Sequence, residues 1–121
     1  MGSDEDRNIK EKIRHIIVEK RRYREMGYSA ASMAAELGIT PARLSGILRD
    51  NFGENYSSLI NRYRVKEAKK YLLDKNKVSY TVDDIAYSVG FSNRQSFFSA
   101  FKRFVGTTPD KWRREEVNKC L

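Results

Sequence analysis

Side chains that act as nucleophiles or metal ligands are scarce in this sequence of 121 residues, which has one His and one Cys. A catalytic Ser/His or Cys/His pair would have to use His15, which lies in a charged run typical of an exposed helix surface. His15 and Cys120 together are too few for the usual four-ligand zinc site. The phosphate-binding patterns G-x-x-x-x-G-K-[ST] and G-x-G-x-x-G are also absent from the sequence. We therefore expect no enzyme activity and no catalytic, cofactor or metal site.

Basic side chains offer the clearest chemistry, because 24 Lys and Arg exceed 16 Asp and Glu and give a formal charge of +8. Such an excess indicates a polyanionic partner, either nucleic acid or a membrane surface. The sequence has no run of 18 apolar residues that would span a membrane. The single Cys120 excludes an internal disulfide and indicates either a reducing compartment or indifference to redox state. We expect a cytoplasmic protein.

Helices must position these groups, because apolar residues recur every three or four positions and alternating β-branched residues are scarce. The predicted fold is all-α, with two helix-turn-helix subdomains joined by a long central helix. The seven predicted helices span residues 7–26, 30–37, 41–51, 56–74, 82–89, 93–105 and 109–117. We expect a tag or disordered start at 1–6, an N-terminal helix and first lobe at 7–55, a linker helix at 56–75 and a second lobe at 76–121.

An internal repeat is the most informative feature of the chain. Met33–Thr40 and Ile85–Ser92 share the order apolar, Ala, two variable residues, apolar, Gly, apolar, hydroxyl. We interpret each copy as a helix and a turn, in which the small Ala permits a close helix crossing and the Gly adopts a positive φ. Thr40 or Ser92 then caps the following helix. Any αα-hairpin has similar needs, but two matching copies on a basic chain favour a DNA-binding helix-turn-helix.

The helix between the two copies sets their separation. Its roughly 19 residues would span about 28 Å, whereas successive major-groove faces on one side of B-DNA lie about 34 Å apart. We therefore expect two recognition helices on the same side of one duplex, near one helical repeat apart. A mismatch of a few ångströms would favour DNA that bends toward the protein.

The residues around both copies resemble the AraC/XylS family of bacterial transcription regulators. The resemblance rests on Gly90–Arg103, Gly106–Pro109 and Trp112–Arg113 in the second half, and on Leu44–Ser45, Phe52–Gly53 and Ile60–Ala68 in the first. It covers about residues 28–113 and implies promoter binding by a two-lobed helical domain, with recruitment of RNA polymerase. Members of the family usually carry a separate sensing or dimerisation domain, so we expect the chain to be a fragment or a short stand-alone member.

The resemblance also implies two sets of contacts to double-stranded DNA. The expected base contacts are Arg43, Ser45 and Arg49 in the first lobe and Asn93, Arg94, Gln95, Ser96 and Ser99 in the second. The expected phosphate contacts are Thr40, Arg62, Arg64, Ser92, Lys102, Arg103, Lys111 and Arg113. The alternative for the basic residues is a solvated helix face or, for Arg64, an ion pair with Glu67 in the same helix. Helix starts at Thr40, Ser92 and Thr108 would also direct backbone N–H groups at phosphates.

The two lobes are expected to differ in what they read. Ala42, Ser45 and Gly46 are too small to reach far into a groove, which limits direct readout by the first lobe. The Arg and amide side chains of the second lobe can bond guanine and adenine, so we expect this lobe to carry more sequence information.

Aromatic residues at helical spacing are expected in the core, whereas Phe98 is expected to be partly exposed. The expected core aromatics are Tyr63, Phe91, Phe97, Phe101, Phe104 and Trp112. Two other function classes stay open: a protein-interaction module of similar helical hairpins, and a nonspecific nucleic-acid-binding protein. The first would need an exposed apolar groove, and the second would not need paired caps with matching spacing.

Overall fold

The computed structural model describes the backbone of residues 2–119 and the side chains of residues 5–119. Seven α-helices and no strand occur within this part of the chain, which confirms the predicted all-α class. The helices are α1 (Gly2–Arg14), α2 (Ala30–Leu37), α3 (Pro41–Phe52), α4 (Tyr56–Leu72), α5 (Val82–Ser88), α6 (Arg94–Val105) and α7 (Pro109–Lys119). Within the same residues, no helix has the length and apolar character needed to cross a membrane.

The first helix differs from its predicted span of 7–26. It begins at Gly2, so residues 2–6, for which we expected a tag or a disordered start, are helical, while Met1 lies outside the described residues. The α-helix ends at Arg14 and continues as a π-helix over His15–Glu19 and, after a break, a 3-10 turn over Arg22–Arg24. Tertiary contacts override the helical pattern here, because Lys20 and Arg22 both pair with the Glu36 carboxylate of α2, at 2.9 and 3.5 Å.

The chain forms two compact units, one up to Ile60 and the other from Asn61 onward. The boundary between them lies inside α4, which begins at the predicted residue but ends two residues before Asp74. Each unit has its own apolar core. In the first unit, the expected stripe of Ile9, Ile13, Ile16 and Ile17 is buried with Met33, Leu44, Leu48 and Leu59.

Aromatic rings build much of the core of the second unit. Phe97 lies at its centre, with ring centroids 5.1 Å from Phe91 and 5.7 Å from Phe101. Phe101 in turn meets Trp112 at 5.8 Å. Phe91, Phe97 and Phe101 are fully buried as expected, while Phe104 and Trp112 are half-buried and pack against them. Edge contacts of this kind contribute about 0.5–1.5 kcal/mol per pair beyond the area they bury.

A polar cluster joins the irregular segment after α1 to α2 in the first unit. Lys20 Nζ donates to Glu36 Oε2 at 2.9 Å, and the Tyr28 hydroxyl donates to Glu36 Oε1 at 2.8 Å. Burial disfavours the charged carboxylate, but the hydrogen bonds from Lys20 and Tyr28 outweigh it and hold the pKa of Glu36 below its ordinary value. Burial and the same carboxylate raise the pKa of the Tyr28 phenol.

Candidate nucleic-acid interface

The first copy of the repeat forms a helix-turn-helix corner between α2 and α3. The Ile39 amide donates to the Ala34 carbonyl at 3.0 Å, and the Gly38 amide donates to the Ala35 carbonyl at 3.1 Å. Gly38 has a φ of 71°, as predicted. Ala34 is buried where the two helices cross. This pair of hydrogen bonds is the Schellman motif that ends a helix at a left-handed residue.

The second copy repeats the same backbone geometry between α5 and α6. The Phe91 amide donates to the Ala86 carbonyl at 3.0 Å, and the Gly90 amide donates to the Tyr87 carbonyl at 3.1 Å. Gly90 has a φ of 110°, and Ala86 is fully buried. The repeat in the sequence is therefore a repeat in structure, down to the hydrogen bonds that close each turn.

Three expected base contacts of the first lobe lie on the exposed face of α3. Thr40 caps this helix, since its Oγ1 accepts from the Arg43 amide at 3.1 Å, and Pro41 occupies the first helical position. The side chains of Arg43, Ser45 and Arg49 are exposed. The opposite, buried face consists of Leu44, Ile47 and Leu48. Packing of that face fixes which side of α3 a ligand can reach.

Acidic groups face both arginines of α3. Arg43 Nη2 lies 3.2 Å from Glu5 Oε1 and 3.3 Å from Asp6 Oδ1, so the first turns of α1 partly neutralise it. Arg49 Nε lies 3.6 Å from Asp50 Oδ1. The sequence pattern did not reveal the Arg43 contacts, because Glu5 and Asp6 fall in the segment expected to be a tag or disordered.

The cap of α6 is Asn93, and the prediction that Ser92 caps this helix is wrong. Asn93 Oδ1 accepts from the Ser96 amide at 2.8 Å. The second copy reaches its helix one residue later than the first, so the residue after the matching hydroxyl takes the extended backbone of a cap, with φ −155° and ψ 162°. The acceptor oxygen of Asn93 is thereby used within the helix.

Arg94 is held in place by two neighbours. Its Nη1 donates to Asp83 Oδ1 of α5 at 2.7 Å, and its guanidinium lies 4.2 Å from the centroid of the Phe98 ring. Phe98 is half-buried, in agreement with the partial exposure expected for it. An arginine stacked and paired in this way loses less side-chain entropy when it binds.

A groove of about 390 Å³ runs along α6 and brings together four predicted residues, Gln95, Ser96, Ser99 and Arg103, beside the apolar Ala100 and Phe104. We call it the α6 groove. Asn61 of α4 also lines it, and sequence reasoning gave this residue no role. Asn61 Oδ1 accepts from Arg64 Nη1 at 3.3 Å, which leaves the donor end of the amide for other partners. The groove therefore presents hydroxyls, amides and a guanidinium on one surface.

The expected phosphate contacts fall into two groups in the structure. Exposed side chains are found at Arg62, Lys102, Arg103 and Lys111. Arg64 is half-buried, with its guanidinium 5.6 Å from the centroid of the Phe91 ring as well as near Asn61. Exposed members have the reach to meet a phosphate, whereas Arg64 also takes part in packing.

Arg113 serves the fold, in contrast to the phosphate contact expected of it. Its Nε donates to the Leu72 carbonyl at 2.8 Å, Nη1 to the Tyr80 carbonyl at 3.2 Å and Nη2 to the Lys77 carbonyl at 3.1 Å. Leu72 is the last residue of α4, so one side chain of α7 both ends that helix and anchors the following loop. Three fixed carbonyl partners leave this guanidinium little capacity for DNA.

The start of α7 also differs from the expected phosphate site at Thr108. A hydrogen bond from Thr108, together with the backbone N–H groups of Asp110 and Lys111, lowers the pKa of the Asp110 carboxyl. The carboxylate thus already occupies the helix N-terminus, where a phosphate would have to displace it.

Comparisons with known proteins agree with this geometry. A family model described as a helix-turn-helix domain matches residues 33–115. The uncharacterized HTH-type transcriptional regulator YtdP of Bacillus subtilis is 30% identical over 110 residues, which cover 91% of this chain and 14% of that protein. The arabinose operon regulatory protein of Escherichia coli is 27% identical over 97 residues, which cover 78% of this chain and 32% of that protein. The chain thus spans less than a third of the length of these relatives.

A solved structure shares the same fold. The DNA-binding domain of AdpA, a global transcriptional factor, superposes with a TM-score of 0.79 at 19% identity. The match covers 92% of this chain and 94% of that domain, which was crystallised in complex with a target DNA.

Proposed function

The chain belongs to the AraC/XylS family of transcription regulators as a helix-turn-helix DNA-binding domain, and from this we propose that it binds promoter sequences through α3 and α6 in successive major-groove segments. The observation that carries the proposal is the repeated corner. The same two hydrogen bonds close both turns, and each turn leads into a helix with an exposed basic and polar face.

Base recognition rests on both helices in this proposal, with the larger share on α6. Arg94 reads guanine, while Gln95, Ser96 and Ser99 contact bases from the same helix. Asn93 takes part only through its amide donors, because its oxygen caps the helix. On α3, Arg43, Ser45 and Arg49 supply the contacts of the first lobe.

Phosphate contacts position the protein on the duplex. We assign this role to the exposed cations Arg62, Lys102, Arg103 and Lys111, and to Asn61 at the edge of the α6 groove. The helix start at Thr40 adds backbone N–H groups to the same task.

We propose that the chain acts in the bacterial cytoplasm together with a sensing or dimerisation domain, and that bound protein recruits RNA polymerase.

Selection of bound duplexes from a random pool tests the proposal directly. A recovered motif should bind at least about 1,000-fold more tightly than random DNA of equal length, with an affinity that falls steeply as salt rises. A recovered pool without a shared motif, bound no better than the starting pool, would instead assign the domain to the nonspecific class.

A further inference from the structure

The second unit carries an apolar groove bordered by basic side chains, of which only Arg62 has a role in the proposed DNA contacts. The groove has a volume of about 470 Å³. Its apolar surface consists of Val65, Leu73, Phe104, Val105 and Trp112. Its border consists of Arg62, Lys66, Lys69 and Lys70, and none of the lining residues is acidic. We call it the α4–α7 groove, because α4, the end of α6 and α7 supply its walls.

The basic border is an ordered ridge along α4. Arg62, Lys66, Lys69 and Lys70 follow one another at intervals of three or four residues, apart from the adjacent last pair, so they share one side of the helix. The charge of Lys66 repels the charges of Lys69 and Lys70, which lie three and four residues further along the helix. An anionic partner laid along this ridge would relieve that repulsion.

The apolar surface is open to a partner's side chains. Leu73 is 43% exposed, and Phe104, Val105 and Trp112 are half-buried rather than enclosed. Lys69 Nζ lies 5.4 Å from the centroid of the Trp112 ring, so a basic group sits directly against the apolar floor. The surface thus suits a ligand that combines apolar side chains with acidic ones beside them.

We infer that the α4–α7 groove docks an acidic amphipathic helix of a partner protein. From Arg62 to Leu73 the groove follows twelve residues of chain, about 16 Å, which matches three turns of a partner helix. Apolar anchors at i, i+3, i+4 and i+7 would fill the floor, and flanking Glu or Asp would pair with Lys66 and Lys69. A DNA backbone offers phosphates to the ridge but no side chains for Leu73 and Trp112, so it fits this surface less well.

The experiment uses a defined peptide and the protein's own fluorescence. Trp112 is the single Trp of the chain, so its emission reports on the groove alone. The probe is a peptide of about 15 residues with Leu on one helical face and Glu on the others, compared with a scrambled peptide of equal composition. We expect the amphipathic peptide to shift Trp112 emission and to bind at least ten-fold more tightly than the scrambled one.

Substitutions in and outside the groove test where the peptide binds. Lys66→Glu and Leu73→Ser should each weaken the amphipathic peptide at least ten-fold, while Lys75→Glu, an exposed change of equal charge outside the groove, should leave it within two-fold. Circular dichroism of each variant confirms that it is folded. Equal binding of both peptides, or equal loss in Lys66→Glu and Lys75→Glu, would overturn the inference.

A second measurement with added DNA distinguishes this inference from the proposed function. Added duplex should leave the peptide bound, and Lys66→Glu should keep most of its duplex affinity. If duplex displaces the peptide and Lys66→Glu loses affinity for every DNA sequence, the ridge binds the DNA phosphate backbone and the inference is wrong. Because the peptide titration is done without DNA, its result does not depend on promoter recognition.

Discussion

Arg43 Nη2 on α3 lies 3.2 Å from Glu5 Oε1 on α1. One of the two arginines proposed to contact bases from α3 is therefore paired with a carboxylate of its own chain. DNA must compete with Glu5 for this guanidinium, and the competition lowers the net gain from the contact. The same competition applies to Arg94 on α6, whose Nη1 donates to Asp83 Oδ1 at 2.7 Å, so these ion pairs reduce the net gain in both lobes.

Replacement of Glu5 by Gln should tighten DNA binding. Exposed ion pairs are worth about 0.2–1 kcal/mol, so we expect a gain of about 1.5- to 5-fold in affinity at low salt. Glu11→Gln is the matched control, because Glu11 lies on the same helix and pairs with Arg14 at 3.1 Å. Fluorescence anisotropy with a labelled duplex measures both variants, and an equal gain in the two would show that only net charge matters.

Replacement of Arg94 by Ala should relax base preference. Loss of a bidentate contact to guanine costs about 1–3 kcal/mol on the preferred sequence and much less on others. Arg62→Ala should instead weaken all duplexes alike and reduce the salt slope by about one. Parallel titrations with preferred and random duplexes distinguish the two patterns. If both variants changed only folding stability, these roles would be wrongly assigned.

Arg113→Ala should destabilise the second unit rather than weaken DNA contacts. The change removes three hydrogen bonds to carbonyl oxygens, and we expect a loss of about 1–3 kcal/mol in the free energy of unfolding. The salt slope of binding should stay at the wild-type value, whereas Arg103→Ala should lower it by about one. A reduced slope in Arg113→Ala at unchanged stability would restore the phosphate contact first expected there.

Gly90→Val should unfold the second unit. A β-branched residue tolerates a φ of 110° poorly, and we expect a cost of about 3 kcal/mol or more. Gly46→Ala is the control, because this helical glycine has an ordinary φ and a new Cβ would meet only Arg49 Nη2, at 3.8 Å. That change should stabilise the protein by about 0.5–1 kcal/mol. Thermal unfolding measures both, and a normal melting temperature for Gly90→Val would contradict the role of this turn.

Acid should weaken the first unit through Glu36. Because its folded pKa lies below the ordinary value of 4.5, the Glu36 carboxylate adds stability that is fully present above that pH. This stability is lost as the pH falls through the folded pKa. Glu36→Gln should therefore cost about 1 kcal/mol at pH 7 and progressively less toward pH 3, as measured by urea unfolding. A constant difference at all pH values would show that charge on Glu36 is not the cause.

Local signals in the sequence were sufficient to predict both corners. The Ala, Gly and apolar residues of each copy act through neighbouring backbone groups. Their spacing therefore correctly predicted the positive φ of Gly38 and Gly90. The aromatic core around Phe97 also followed from helical spacing. These features depend on contacts that are close in sequence or on burial alone.

Long-range contacts account for most of what sequence reasoning missed. Arg113 meets carbonyls 33 to 41 positions earlier, and Arg43 meets Asp6 37 positions earlier, so no spacing rule reveals either. Asn61 joins the α6 groove from a different helix. The cap of α6 was missed for a local reason, since Ser92 and Asn93 are both good caps and only the turn geometry selects the second.

The two helix-turn-helix corners have the same backbone geometry, but the side chains of the helices that follow them differ. Many helix-turn-helix dimers place identical units on palindromic operators. This chain has no such symmetry, because α3 presents Arg43, Ser45 and Arg49, whereas α6 presents a longer surface rich in amides. If α3 and α6 both contact bases as proposed, the recognised sequence must have a direction, and each bound molecule would point one way along the promoter, with a defined upstream and downstream end.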